Sequence, residues 1–178
     1  MANKYGKTFV TPNATVTWAH LHKPDVKFGN PNHNITVELT EELSTLINDA
    51  AKNCNFSGVT KVNGVSERDG VKLLKVKNSQ FAKDNPSTVT FPCFDSQNTK
   101  TTDTPFGGDV VRLRLVPALL ERDNSMSLYL DGVQIIEKNE QGSASSGFDK
   151  VEGGYVSEAA PVAMTEEAEP EQGADMPF

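Results

Sequence analysis

Two sets of side chains in this sequence could act together on a polyanion. One is cationic. Lys72, Lys75 and Lys77 fall in a single short apolar stretch, Arg112 and Arg114 share one face of another, and Lys23 and Lys27 flank an early turn next to Phe28. The other is aromatic: Phe28, Phe81, Phe91, Phe94 and Tyr129 lie on or near strand-like segments. Lysine and arginine neutralise phosphates, and an aromatic ring gives an unpaired base a face to stack on. Both ingredients together are what a single strand of nucleic acid requires. Taken singly, each cation reads as solvated surface and each Phe as core; the collective pattern carries the argument. Trp18, with Val16 on its own face, reads as core.

Other chemistry finds less support. There is no phosphate-binding glycine loop, no H-E-x-x-H and no G-x-S-x-G. His20 and His22, two apart, share a strand face and could bind a metal with His33 or Cys54, but no second ligand pair has a recognisable spacing. Cys54 follows a helix C-terminus, the wrong end for lowering a thiol pKa. The carboxylates are scattered. No catalytic residue, metal or cofactor is therefore expected. Cys54 and Cys93 cannot make a disulfide framework. The sequons at Asn13, Asn34 and Asn55 carry little weight, because Met1 to Val10 is polar and no export signal is visible. No apolar run approaches the roughly 20 residues that span a bilayer. A cytoplasmic protein with no membrane partner is expected.

The elements that must position these side chains are mostly strands. Thr15–Leu21 is rich in β-branched residues and stops before a Lys23-Pro24-Asp25 turn signal. Residues 35–39 alternate, with Ile35, Val37 and Leu39 on one face. Residues 71–76 form a basic apolar strand. Residues 88–94 are strand-like, with Pro92 indicating an edge or bulge. Residues 110–116 put Val111, Leu113 and Leu115 on one face and Arg112 and Arg114 on the other. Residues 127–137 read as two strand segments joined at Asp131-Gly132 by a hairpin turn or a bulge. One helix is expected from Glu41 to Lys52, with Thr40 as N-cap, Glu41 and Glu42 at the positive end of its dipole, and Leu43, Leu46, Ile47 and Ala50 at helical spacing. Residues 55–70 read as a loop or weak hairpin. Five to seven strands and one helix indicate a small barrel or sandwich.

Composition divides the 178 residues near position 139. Residues 1–138 hold 16 Lys+Arg against 15 Asp+Glu, whereas 139–178 hold one Lys against nine acids. The net charge of -7 thus belongs to the second segment. Its Gly, Ser, Ala, Glu and Pro cannot bury enough apolar surface to order it, so a domain over 1–138 and a disordered acidic tail over 139–178 are expected. A body of net charge +1 must bind through local patches and stacking, not bulk charge. The sequence closes on Asp175-Met176-Pro177-Phe178, where a terminal ring and carboxylate suit capture by a partner's apolar pocket with a basic rim. A flexible run of 28 residues (151–178) also reaches roughly 30 Å, far enough to fold back and compete with nucleic acid for the body's cations.

The A-D-M-P-F ending after an acidic run resembles the tip of bacterial single-stranded DNA-binding proteins. The body instead resembles the phage-encoded OB-fold single-stranded DNA-binding proteins, in TVTWAHLHKPD after Thr11-Pro12, in ITVELT before a helix, and best in GGDVVRLRLVPALLERDNSMSLYLDGVQIIE. The likeness covers about residues 8–138 and the tip. It implies a mainly β, five-stranded OB barrel with one helix between the second and third strands. It implies sequence-tolerant coating of single-stranded DNA in phage replication, recombination and repair, within the host bacterial cytoplasm. Replication or recombination proteins, such as a polymerase or exonuclease, would be recruited through Asp175, Met176, Pro177 and Phe178. It leaves a homodimer open, although no heptad is present. Bacterial tips carry several Asp before the last three residues, whereas only Asp175 stands here. Two other readings compete: an OB-type protein–protein adaptor with an acidic recruiting tail, and a small nuclease.

Overall fold

The computed structural model describes residues 4–27, 29–56, 58–84 and 90–139. Five long strands organise them: β1 (Ala14–Asp25), β2 (Asn32–Glu38), β3 (Val71–Asn78), β4 (Val110–Leu120) and β5 (Ser125–Glu137). β1 pairs antiparallel with β2, and β2 with β3. β3 meets β5 in parallel at Lys77 and Tyr129, and β5 runs antiparallel along the whole of β4. β4 returns to β1 through Val110–Thr15 and Val111–Ala14. The order 1-2-3-5-4-1 closes on itself, giving the five-stranded OB barrel. Closure removes the free sheet edges that invite aggregation.

The barrel is filled as the alternation dictates. Val111, Leu113 and Leu115 of β4 are fully buried, as are Ile35, Val37, Leu74, Val76 and Leu130 of its neighbours. A helix, α1 (Glu41–Asn53), lies between β2 and β3 and adds Leu43 and Ile47 to the same core. Burying each is worth about 1.5–3 kcal/mol. Its start follows the sequence: the Thr40 hydroxyl accepts from the Leu43 amide at 3.2 Å. A short helix that the sequence did not indicate, α2 (Gln80–Asp84), follows β3, and the Asn78 Oδ1 accepts from the Phe81 amide at 2.8 Å.

The structure corrects some sequence expectations and decides between the alternatives left by others. β1 does not stop at Leu21 but continues through Lys23-Pro24-Asp25. Its pairing with β2 jumps from His20–Asn34 to Asp25–Asn32, so Pro24 sits in a bulged stretch where no ladder bond is asked of it. Of the expected strand over 88–94, residues 85–89 lie outside the described part, and within 90–94 Cys93–Phe94 forms a strand. At Asp131 there is a bulge and not a hairpin turn, since Arg114 opposes Gly132 while Leu115 opposes Leu130, leaving Asp131 as the extra residue. Within residues 55–70, Val65–Arg68 folds onto β3 as a true hairpin around Asp69 and Gly70, both at positive φ. Among the described residues no helix is long and apolar enough to cross a membrane.

Candidate nucleic-acid interface

Because Ile35 and Val37 of β2 and Leu74 and Val76 of β3 point into the barrel, Thr36, Lys75 and Lys77 point out. The register then assembles two rows across the outer face. Trp18, Thr36 and Lys75 make one; His20, Lys77 and Tyr129 make the other, joined through Asn34, whose side chain is fully buried. Tyr129 faces outward between Leu128 and Leu130, which both belong to the core.

Trp18 is 60% exposed, which overturns its reading as core. The cause is a bulge. Val16 opposes Val37 and Trp18 opposes Thr36, so two residues of β1 advance against one of β2. This flips the in–out parity of the strand: Val16 is buried, Trp18 exposed, and Leu21, an odd number of residues beyond Val16, is buried again. The indole meets the His20 ring edge-on, with centroids 5.5 Å apart. At the other end of the face, Tyr129 touches Tyr5, with centroids 6.1 Å apart. Tyr5 is 62% exposed and is held there because Lys4–Tyr5 pairs with Leu119 and Ala118 of β4.

Beside these rings runs a groove of about 830 Å³, lined by Lys75, Lys77, Lys83 and Tyr129 together with Asp25, Asn32, Asn63 and Gly64. Residues 60–64 reach it by pairing along the start of β5: Lys61–Val62 runs parallel to Ser125–Met126. Gly64, at φ 87°, is required here. Its carbonyl accepts from the Lys75 amide at 2.8 Å, and a Cβ would lie 2.1 Å from the Lys75 carbonyl oxygen. Three lysines against one carboxylate make the groove cationic. The Lys27 amide, donating to Asp25 Oδ1 at 3.0 Å, holds that carboxyl below its usual range, and the charges of His20 and Lys75 add to the effect. Burial raises the Tyr129 phenol, with a smaller contribution from Tyr5, so it stays neutral near pH 7.

The structure gathers Lys75, Lys77 and Tyr129 into this groove and disperses the other candidates. Lys72 is exposed on β3 but lies near the start of α1, in a small recess with Leu39 and Thr40. Lys23 and Lys27 are exposed around the end of β1. Arg112 and Arg114 line recesses with Val10, Phe94 and Gln134 that share no residue with the lysine groove. Arg114 is tied to Asp131 by an Nε–Oδ2 contact of 2.6 Å. Phe91 is 1% exposed and offers no open ring face. Phe81 is half-buried against Phe91 and His33, with centroids 5.3 and 5.5 Å away. Phe28 and Asp175, Met176, Pro177 and Phe178 lie outside the described residues, as does the rest of 140–178. Sequence reasoning passed over Trp18, Tyr5 and Lys83. Only the single Trp in a polar strand hinted at the first; the other two reach the face through pairings and a helix that local pattern does not reveal. Among the described residues, no group of three or more His, Cys, Asp and Glu could hold a metal ion.

No protein-family model and no curated protein matches the chain. Solved structures do. The chain is similar to gp2.5, a single-stranded DNA binding protein encoded by bacteriophage T7, at 20% identity over 75% of this chain and 93% of that one, with a TM-score of 0.52. It is also similar to the single-stranded DNA-binding protein from bacteriophage Enc34, both as a C-terminal truncation and in complex with ssDNA. Each of these is 12% identical over 74% of this chain and 87% of that one, with a TM-score of 0.53.

Proposed function

We propose that this chain binds single-stranded DNA without enzymatic activity. Bases stack on Trp18 and Tyr129, and phosphates are neutralised by Lys75, Lys77 and Lys83. The observation that carries the reading is the co-facial array of rings and lysines on the outer side of β1, β2, β3 and β5. In OB barrels the face of strands 2 and 3 is where oligonucleotides bind. Rings and cations there match what a single strand offers, which is unpaired bases and a regular run of phosphates. The similarity in fold to two phage proteins described as single-stranded DNA-binding supports the same reading. On that reading the chain coats single-stranded DNA during phage replication, recombination and repair, and residues 175–178 recruit a replication or recombination protein.

The test is fluorescence anisotropy with a labelled unstructured oligonucleotide and its duplex, side by side at low salt. A clear preference for the single strand is expected. Three neutralised phosphates give a slope of log K against log salt of about -2. Equal binding of both forms would replace stacking by backbone contact as the main contribution. No binding to either would remove the proposal and leave the adaptor reading.

A further inference from the structure

We infer that the groove favours bases carrying an exocyclic amino group over thymine, and that Asp25 sets this preference; the inference rests on the single-stranded DNA reading above. The groove is chemically two-sided. Its cations are lysines, on long side chains from β3 and α2. Two of its other polar groups, Asn63 and Asp25, present acceptors. Asn63 spends both amide hydrogens on the protein, donating through Nδ2 to the Oγ of Ser125 at 2.9 Å and of Ser127 at 3.0 Å. Its carbonyl oxygen is what remains for a ligand. Asn32 donates through Nδ2 to the Asn30 carbonyl and accepts at Oδ1 from Asn34. Asp25 is a carboxylate with about four acceptor positions. The Lys27 amide takes one, and Asn34 makes a weaker contact.

A carboxylate repels phosphate, so the backbone of a bound strand runs along the lysines and its bases turn toward Asp25 and Asn63. An acceptor reads a donor. Cytosine places its N4 amino group where thymine places the O4 carbonyl, and a carboxylate accepts from the first and repels the second. The two pyrimidines offer similar stacking area, so the exchange isolates the edge contact. The Lys27 amide, with help from the neighbouring Lys75, holds the Asp25 carboxyl below its usual range, so it is ionised near pH 7, and a charge-assisted bond is roughly twice as strong as a neutral one.

The experiment compares oligo-dC and oligo-dT of about 15 nucleotides, near the upper site size of one OB fold, on the full chain and on Asp25→Asn. Asparagine keeps the shape and an oxygen to accept from the Lys27 amide, and equal melting temperatures establish that the variant folds. The full chain is expected to bind oligo-dC at least about fivefold tighter than oligo-dT, the lower end of what one edge contact discriminates. In Asp25→Asn, oligo-dT affinity is expected to rise as repulsion is removed, and the ratio to fall toward one. Equal affinities in the full chain overturn the inference while leaving single-strand binding intact. A preference that persists in Asp25→Asn removes Asp25 as its source. Failure to bind either oligonucleotide overturns the functional reading itself.

Discussion

Trp18 is the side chain on which the proposed interface depends most, and replacing it by alanine separates two accounts cleanly. A core tryptophan costs about 3–5 kcal/mol on truncation to alanine. Trp18 is 60% exposed. With about 250 Å² of side-chain area, its buried two-fifths amount to about 100 Å², or an upper bound of about 2.5 kcal/mol at 25 cal/mol/Å². Partial burial in the unfolded chain lowers that further. The loss in binding is expected to be of a different kind. Base–aromatic stacking is worth about 1–3 kcal/mol per base, so Kd for a single strand is expected to rise about 5- to 150-fold. The chain contains one Trp, so its own fluorescence reports on this position alone. Oligonucleotide added to the unaltered chain is expected to quench the emission along the binding curve. Trp18→Phe keeps a ring and is expected to recover part of the affinity. A fold as destabilised as a core deletion would refute the bulge argument. A folded Trp18→Ala chain with unchanged Kd, together with emission that DNA does not alter, would remove Trp18 from the interface.

Three further outcomes are expected. Lys75→Ala combined with Lys77→Ala is expected to flatten the log K–log salt slope by about 1.4, whereas Arg112→Ala, on a separate recess, leaves it unchanged; salt titrations of the two variants decide whether the strand stays within the lysine groove. Gly64→Ala is expected to cost roughly 1–3 kcal/mol in denaturant unfolding and to weaken single-strand binding, since the new Cβ collides with the Lys75 carbonyl and lifts the groove wall away from β3. His33 is fully buried, and burial lowers its pKa below the ordinary 6.5 despite the opposing contacts of the His20 and Leu21 backbone. The unfolded chain therefore takes up the proton first, and stability is expected to fall as pH drops from 6.5 through the lower folded value; His33→Leu is expected to abolish that slope in pH-dependent melting.

The parts of the fold legible in the sequence are those decided locally. The Thr40 cap and the spacing of Leu43, Ile47 and Ala50 specify α1 because every contact involved lies within one or two turns. The alternation through Val111, Leu113 and Leu115 specifies the buried face of β4 for the same reason. The overall topology came from resemblance, not from pattern. The interface was legible only in part, for a physical reason. At Trp18 the strand carries one extra residue, and parity counted from the sequence fails beyond such a point. Whether a bulge forms depends on the partner strand's register, which is a property of the closed barrel and not of the strand.

The same bulge that defeats the sequence reading supplies the site. A regular β1 would place Trp18 beside Val16 inside the barrel, where Ile35 and Val37 already fill the space against Leu74 and Val76. Inserting one residue turns the indole outward into the row that ends on Lys75, and still returns Leu21 to the core. Overpacking a filled core typically costs 1–3 kcal/mol, and an exposed indole gives up much of the burial that stabilises an interior tryptophan. A sequence that keeps its one Trp on the outside, next to lysines and a second ring, therefore places it where stacking can recover that contribution through a ligand. Deleting Thr17 tests this account. With the extra residue gone, Val16 still opposes Val37 and Trp18 still opposes Thr36, and plain alternation from Val16 leaves Trp18 outside and Leu21 inside. The deletion variant is therefore expected to stay folded, to keep the emission of an exposed indole and to bind single-stranded DNA, and a deletion variant whose indole emission moves to that of a buried tryptophan would refute the bulge argument.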